Sequence, residues 1–327
     1  MKTKLFYFAL ALFICCMYRV SAQQGESEYK SVKINAKAEK VMPSSDDVAL
    51  PDTKEATACG VLSDIDSNIP KNNIIHRERY ALIIGNEDYH THQTTLNYES
   101  DVEFAARDAC IFKEYALNTL GIPEENILFK IDAGQIEMKR MFDKINLIMK
   151  YSGSNSEIFV YYAGHGFPDV STRVPYIIPV DVSVNDLKYA VKLEDIYTLL
   201  SEYPGKRVTV FFDACFSGGG RNLGLLAARA VRLTPKEEIA KGNLVVFSAS
   251  SEEQPALSYQ KEKHGLFTYF LLKKLKETNG DVSYDELSEY LGSEVPIKSI
   301  MINNMEQTPK IYISQTLGDE WKAWKMK

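Results

Sequence analysis

An α/β fold, with a mostly parallel six-stranded sheet flanked by helices on both faces, is what this sequence predicts, and three observations carry the prediction. From Arg79 onward, short and almost purely apolar runs recur, too apolar for strands with one face in water. Amphipathic stretches of helical period separate them. Gly, Pro and Asn mark most of the changes of period.

Tyr80 to Gly85 (YALIIG) reads as the first strand, closed by Gly85 and Asn86. Val102 to Leu120 places Phe104, Ala105, Ala109, Phe112, Tyr115 and Ala116 on neighbouring turns and is stopped by Gly121 and Pro123, so it reads as a helix. Asn126 to Ile131 is the second strand and Gln135 to Tyr151 the second helix. Glu157 to Tyr162 (EIFVYY) is the third strand, Leu193 to Glu202 the third helix, and Arg207 to Asp213 (RVTVFFD) the fourth strand. Asn243 to Ser248 (NLVVFS) is the fifth. Helices at Leu266 to Glu277 and Tyr284 to Leu291 follow, and the last strand falls at Ile311 to Ile313. Apolar strands alternating with crossover helices build a sheet buried on both sides.

Three segments precede or make up this pattern. Residues 1–22 read as a secretory signal peptide: Lys2 and Lys4 lead an uncharged run from Leu5 to Tyr18, and Val20-Ser21-Ala22 precede Gln23. The run is shorter than the roughly 20 residues that span a bilayer, so no lasting membrane insertion is expected. Residues 23–75 mix Lys, Glu, Ser and Pro without sustained period and read as a leader or pro-segment, extended and partly disordered. Its more apolar end, Val61 to Pro70, is expected to dock on the main domain, residues 76–327.

With 38 Lys+Arg against 44 Asp+Glu, the net charge is −6. Losing Lys2, Lys4 and Arg19 with the signal takes it to −9. Such a chain lacks the basic face of a nucleic-acid binder. Five cysteines are too few and too scattered for a disulfide scaffold, and Cys15 and Cys16 belong to the signal.

In a sheet of this kind, chemistry gathers at the carboxyl ends of the strands. The third strand is followed by Ala163-Gly164-His165-Gly166, the fourth by Ala214-Cys215-Phe216-Ser217-Gly218. A thiol becomes a nucleophile when a neighbouring imidazole takes its proton. The backbone N–H groups of Gly166 and Cys215 could bind the oxyanion formed by its attack. No G-x-S-x-G, H-E-x-x-H or phosphate-loop pattern competes with this reading.

YYAGHGF (Tyr161 to Phe167) and FFDACFSGG (Phe211 to Gly219) resemble the His and Cys motifs of caspase-like cysteine peptidases, the group that includes metacaspases and paracaspases. The 50-residue interval from His165 to Cys215 agrees with that group. ALIIGNEDY (Ala81 to Tyr89) is similar to its first strand. The resemblance implies a caspase-like three-layer sandwich and an endopeptidase with a His165–Cys215 dyad, or else a catalytically idle module for binding or scaffolding. It also implies protein or peptide substrates with a basic P1 residue. Asp213, before Ala214-Cys215, and Asp108, in ARDA (Ala106 to Ala109), match the acids that hold arginine or lysine in metacaspases and paracaspases. Asp101 is an alternative to Asp108, and Glu252 and Glu253 are rim candidates. Two carboxylates in one pocket raise each other's pKa until a cation enters, which suits such a substrate.

The connection Gly218 to Asn243 is Gly-rich, then Ala/Leu-rich. The resemblance makes it (218–242) a processing loop, with Arg221, Arg229 and Arg232 as autocleavage sites; an ordinary long loop is the other reading. No cofactor is implied. Calcium activates some metacaspases, but Asp169, Asp181, Asp186 and Asp195 are scattered and define no site. His76, His90 and His92 read as solvated loop residues; Asp88 with His90 and His92 lacks a third ligand at metal spacing, so no metal is expected. His264 reads either as the rim of the groove or as part of a helix start. Cys110 reads as a core residue, with a bridge to Cys59 open if the chain reaches an oxidising compartment. The expected address is outside the cytoplasm, periplasmic or secreted.

Overall fold

A computed structural model of the chain describes residues 58–216, 242–251 and 254–327. The signal peptide, the leader up to residue 57, Arg221, Arg229, Arg232, Glu252 and Glu253 lie outside the described residues.

In chain order the elements are β1 (Arg79–Gly85), α1 (Ala105–Asn118), β2 (Ile127–Ile131), α2 (Gln135–Ser152) and β3 (Glu157–Ala163). Three short strands follow, β4 (Gly166–Pro168), β5 (Pro175–Ile177) and β6 (Val191–Lys192), leading into α3 (Leu193–Ser201). Then come β7 (Arg207–Asp213), β8 (Leu244–Ser248), β9 (Ser258–Tyr259) and β10 (His264–Gly265). The chain continues through α4 (Leu266–Glu277), α5 (Tyr284–Asn303) and β11 (Lys310–Ile313).

The main sheet has the order β2-β1-β3-β7-β8-β11. Its strands are parallel except β11, which runs antiparallel to β8 at one edge. Strand alternation sorts the core into two layers. Ala81, Ile83, Phe159, Tyr161, Phe211 and Phe247 face α1, α4 and α5. Leu82, Ile84, Val160, Tyr162, Val210 and Phe212 face α2 and α3. Both sets are buried, so β1, β3, β7 and β8 carry no wet face, and the three-layer α/β sandwich follows from their composition.

Opposite the site, the first residues of three strands form one cross-strand row, Arg79, Glu157 and Arg207. Glu157 accepts from Arg79 Nε (2.9 Å), from Arg207 Nε and Nη2 (3.0 and 2.7 Å) and from Lys206 Nζ (2.6 Å). Burial pushes its pKa up, but Arg207, Lys206 and Arg79 outweigh burial and bring it down to about 2.

Several expectations are corrected. The first helix begins at Ala105 rather than Val102, because Phe104 takes a left-handed φ of 69° and Val102 belongs to the preceding loop. Val102 is nevertheless buried, which prolonged the apolar pattern past the true start. The last helix does not stop at Leu291 but runs through Pro296 to Asn303. Its buried stripe of Leu287, Leu291, Val295 and Ser299 continues across the proline. The carbonyl that loses its partner there belongs to exposed Gly292, where water can replace it.

The end of the leader is ordered. Asp64–Asp66 forms a 3-10 turn with Ile65 fully buried. Cys59 is bridged to Cys110, so Cys110 is a half-cystine and not the reduced core cysteine preferred from the sequence. Tyr115 Oη donates to Ile65 O (2.8 Å), Thr119 Oγ1 to Pro70 O (2.8 Å), and Lys276 Nζ to Asp64 O and Ser67 O. Residues 58–76 are thus a strap across α1 and α4.

Candidate active site

Ala163 pairs with Asp213 where β3 and β7 end, so two further residues on each strand reach His165 and Cys215 at the same level. Gly166 lies against the second of these ends. A Cβ at Gly166 would stand 2.6 Å from the Phe216 ring and 2.7 Å from Cys215 O, closer than any side chain tolerates. The glycine after the histidine therefore lets the two loops touch.

His165 is almost fully buried and held on every side. Its N–H donates to Tyr89 Oη (3.0 Å), which donates in turn to Ile178 O (2.9 Å). Its carbonyl accepts from Tyr162 Oη (2.8 Å) and Ile178 N (3.0 Å). The Tyr89 ring packs on the imidazole with centroids 4.5 Å apart. Nε2 lies 2.7 Å from Ser100 O. A carbonyl only accepts, so Nε2 carries the proton, and in the neutral ring Nδ1 is the basic nitrogen. Cys215 is also buried, and its thiol donates to Gln254 O (3.4 Å). It is the free cysteine among the described residues.

The two acids proposed for substrate both meet the N-terminus of α4. Asp213 Oδ2 accepts from Thr268 N (3.3 Å) and Thr268 Oγ1 (2.6 Å), and Tyr161 Oη lies 2.6 Å from that hydroxyl. Asp108, at the start of α1, accepts from Gly265 N with both oxygens (3.2 and 3.0 Å). A helix N-terminus supplies unpaired N–H groups and a positive dipole end, so it collects carboxylates. Both side chains are fully buried. Asp101 is directed elsewhere: its Oδ1 accepts from Tyr89 N and His90 N, and its Oδ2 lies 2.6 Å from His90 Nδ1.

His264 belongs to the helix start and not to an open rim. It is fully buried, with Nδ1 2.7 Å from Asp108 Oδ1 and Nε2 2.9 Å from Asp66 Oδ1.

The histidines read as solvated are partly engaged, His76 with Glu78 and His90 with Asp88 and Asp101. The fold brings further acids beside Asp88, His90 and His92. Asp88, His90 and Asp101 bring one ligand atom each within 4.8 Å of one another, as do Asp88, His92 and Asp132. Asp169 is occupied by its own turn, accepting from Ser171 and Thr172, while Asp181 accepts from Gln135 N. With Asp186 and Asp195 they form no cluster of three acids or histidines among the described residues.

Tyr89, Ser100, Gln254 and Thr268 are the site residues that sequence reasoning did not assign. Ser100 and Gln254 act through main-chain carbonyls, which leave no trace in residue type. Tyr89 closes the ALIIGNEDY run and was open to notice.

The family model described as "Caspase domain" matches residues 78–319. Protein GSU0716 from Geobacter sulfurreducens, a solved structure, is similar over 75% of this chain and 97% of that one, at 19% identity and a TM-score of 0.51. At that identity the likeness concerns the fold alone. Comparison with curated proteins returns no match.

Proposed function

This chain belongs to the caspase-domain peptidase family, and on that premise we propose that it is an exported cysteine endopeptidase cleaving after arginine, or lysine, with His165 and Cys215 as its dyad. The observation that carries the reading is the register of β3 and β7, which brings a carbonyl-anchored imidazole and a thiol to adjacent strand ends.

The chemistry follows from the atoms present. His165 Nδ1 takes the Cys215 proton and Sγ bonds to the substrate carbonyl carbon, whose oxygen becomes an oxyanion. The N–H groups of Gly166 and Cys215 are assigned to that oxyanion. The C–N bond then breaks as the imidazolium gives its proton to the leaving amine. Water, deprotonated by the same nitrogen, cleaves the thioester and restores the thiol. Ser100 O supports each step by holding Nε2–H and stabilising the imidazolium. None of these steps calls for a cofactor.

Asp213 and Asp108 are assigned to a basic P1 side chain. Their shared place on the first turn of α4 supports the assignment, since two carboxylates at one helix end suit a guanidinium fork better than one does. Both are covered, as is the thiol, so the described state is read as a resting enzyme whose pocket parts for substrate. Self-processing at Arg221, Arg229 or Arg232 is part of the same proposal. The Cys59–Cys110 bridge supports export, because structural disulfides persist mainly in oxidising compartments.

The test is hydrolysis of a fluorogenic peptide with Arg at P1, with an Asp peptide as control, alongside mass spectrometry of the incubated chain. Cys215→Ala should lower kcat by roughly ten-thousandfold or more. His165→Ala should lower it by roughly a hundredfold to ten-thousandfold. No turnover of any peptide, together with a Cys215 that resists iodoacetamide, would replace the reading with a catalytically idle module.

A further inference from the structure

The strap carries one acid that reaches His264, the ring beside Asp108. Asp66 lies outside the matched domain, which starts at residue 78, yet it is buried against the domain's interior. Its Oδ2 accepts from Leu62 N (2.9 Å), from Ser63 N (2.7 Å) and from Arg107 Nη2. Its Oδ1 faces His264 Nε2 at 2.9 Å. On the far side of the same ring, Nδ1 meets Asp108 at 2.7 Å. A neutral imidazole has one N–H and can donate to only one carboxylate. With an acceptor on each nitrogen, the ring is held as the imidazolium, both protons used.

We propose that Asp66 is a specificity-positioning residue, which acts through His264 to fix the Asp108 carboxylate at the pocket end of α4. The proposal rests on the assignment of Asp108 and Asp213 to the basic P1 side chain.

The charges close. Asp66, Asp108, His264 and Arg107 sum to zero, so the relay is neutral as a buried unit, the condition for keeping four ionised groups out of water. The directions of titration agree with the geometry. Burial opposes the charged form of His264, but hydrogen bonds and charge from Asp108 and Asp66 outweigh it and the pKa is raised. Burial likewise opposes charged Asp66, and His264, the Leu62 amide and Arg107 outweigh it, so its pKa is lowered.

In Asp66→Asn the amide oxygen is kept by the Leu62, Ser63 and Arg107 donors, which turns the NH2 group toward His264 Nε2 and removes the acceptor that keeps it protonated. His264 then reverts to a neutral ring, and Asp108 loses a charged donor while retaining the neutral Gly265 N–H. Asp213 has its own donors on Thr268 and stays in place. A guanidinium gripped by two carboxylates needs both at fixed separation, whereas a neutral P1 side chain needs neither. The defect should therefore fall on binding of basic substrates.

The experiment uses the full mature chain carrying Asp66→Asn, an isosteric change. It compares kcat and KM for peptides with Arg, Lys or citrulline at P1. In parallel, nitrogen-15 NMR of the histidine ring counts the N–H protons of His264. The expected result is a KM for the Arg peptide raised roughly tenfold to a hundredfold, with kcat within about twofold and citrulline turnover unchanged. Two ring N–H signals should become one, and Asp66→Glu, which keeps the charge, should restore part of the KM. Should Asp66→Asn fail to fold, His264→Gln carries the same kinetic expectation.

An unchanged KM for Arg in a folded variant, or an equal loss on Arg and citrulline, overturns the positioning role while leaving the P1 assignment intact. A wild type that cleaves no basic peptide overturns the P1 assignment, and the positioning role with it.

Discussion

A methyl group is enough to test the contact between the loops that carry His165 and Cys215. At Gly166 it would overlap the Phe216 ring and the Cys215 carbonyl, and the second of these is main chain that cannot rotate away. Gly166→Ala should therefore cost about 1–3 kcal/mol of stability. It should also lower kcat more than it raises KM, because it displaces the loop bearing Cys215, the proposed nucleophile. Thermal melts and steady-state kinetics on the same preparation check both; a variant with wild-type kcat would mean that the loops do not meet in the active state. At this scale, the positions of the candidate side chains were legible in the sequence and their main-chain partners were not. His165, Cys215, Asp213 and Asp108 announce themselves by residue type, whereas the carbonyls of Ser100 and Gln254 and the amides of α4 become partners only once the chain is folded.

Elements fix the ends of the sheet differently. At the carboxyl ends the loops carry the proposed dyad; at the amino ends Arg79, Glu157 and Arg207 form a buried, fully bonded ionic row. Removing its one negative member leaves two guanidinium groups facing each other, which are already oriented by other bonds to Leu120 O, Met326 O and Lys325 O. Glu157→Gln should destabilise by about 3–5 kcal/mol without changing KM. The pH dependence has a definite sign. A carboxylate whose folded pKa is depressed to about 2 from 4.5 contributes fully above pH 4.5 and loses its contribution as pH falls from there towards 2. Acid unfolding followed by circular dichroism should show this limb in the wild type and a flatter one in Glu157→Gln; identical acid limbs would remove Glu157 from the account. The long buried strands were readable because nothing but a covered sheet accommodates them. The strands β4, β5, β6, β9 and β10 were not, because two or three residues make no period. The last helix escaped at Pro296 for the opposite reason: a local breaker is overridden by a tertiary stripe that the sequence shows only to those who read past it.

For the whole molecule, the strap changes what counts as the domain. The docking expected of Val61 to Pro70 is present, with Ile65 buried, but the cross-links that fix it, Cys59 to Cys110 and Asp66 to His264, join residues far apart in sequence. A bridge closing a loop between residues 51 apart restricts the unfolded chain by about 4 kcal/mol in the chain-entropy account. Reduction, or Cys59→Ser, should thus lower Tm by about 10 °C. Differential scanning calorimetry with and without reductant is the check, and an unchanged Tm would show that the strap is held by its other bonds. The alternation of strands and helices disclosed the domain from within, and the apolar end of the leader disclosed that something docks on it, while the partner of Asp66 had to be seen in space.

The position of that bridge along the chain has a bearing on biogenesis. Cysteines 59, 110 and 215 follow one another in sequence, and the native pair is the first two. On the proposed export, a chain threaded through a membrane from its amino end presents Cys59 and Cys110 to an oxidant before Cys215 has emerged. Pairing in order of arrival is then also correct pairing, and the thiol that arrives last finds no partner left to take it.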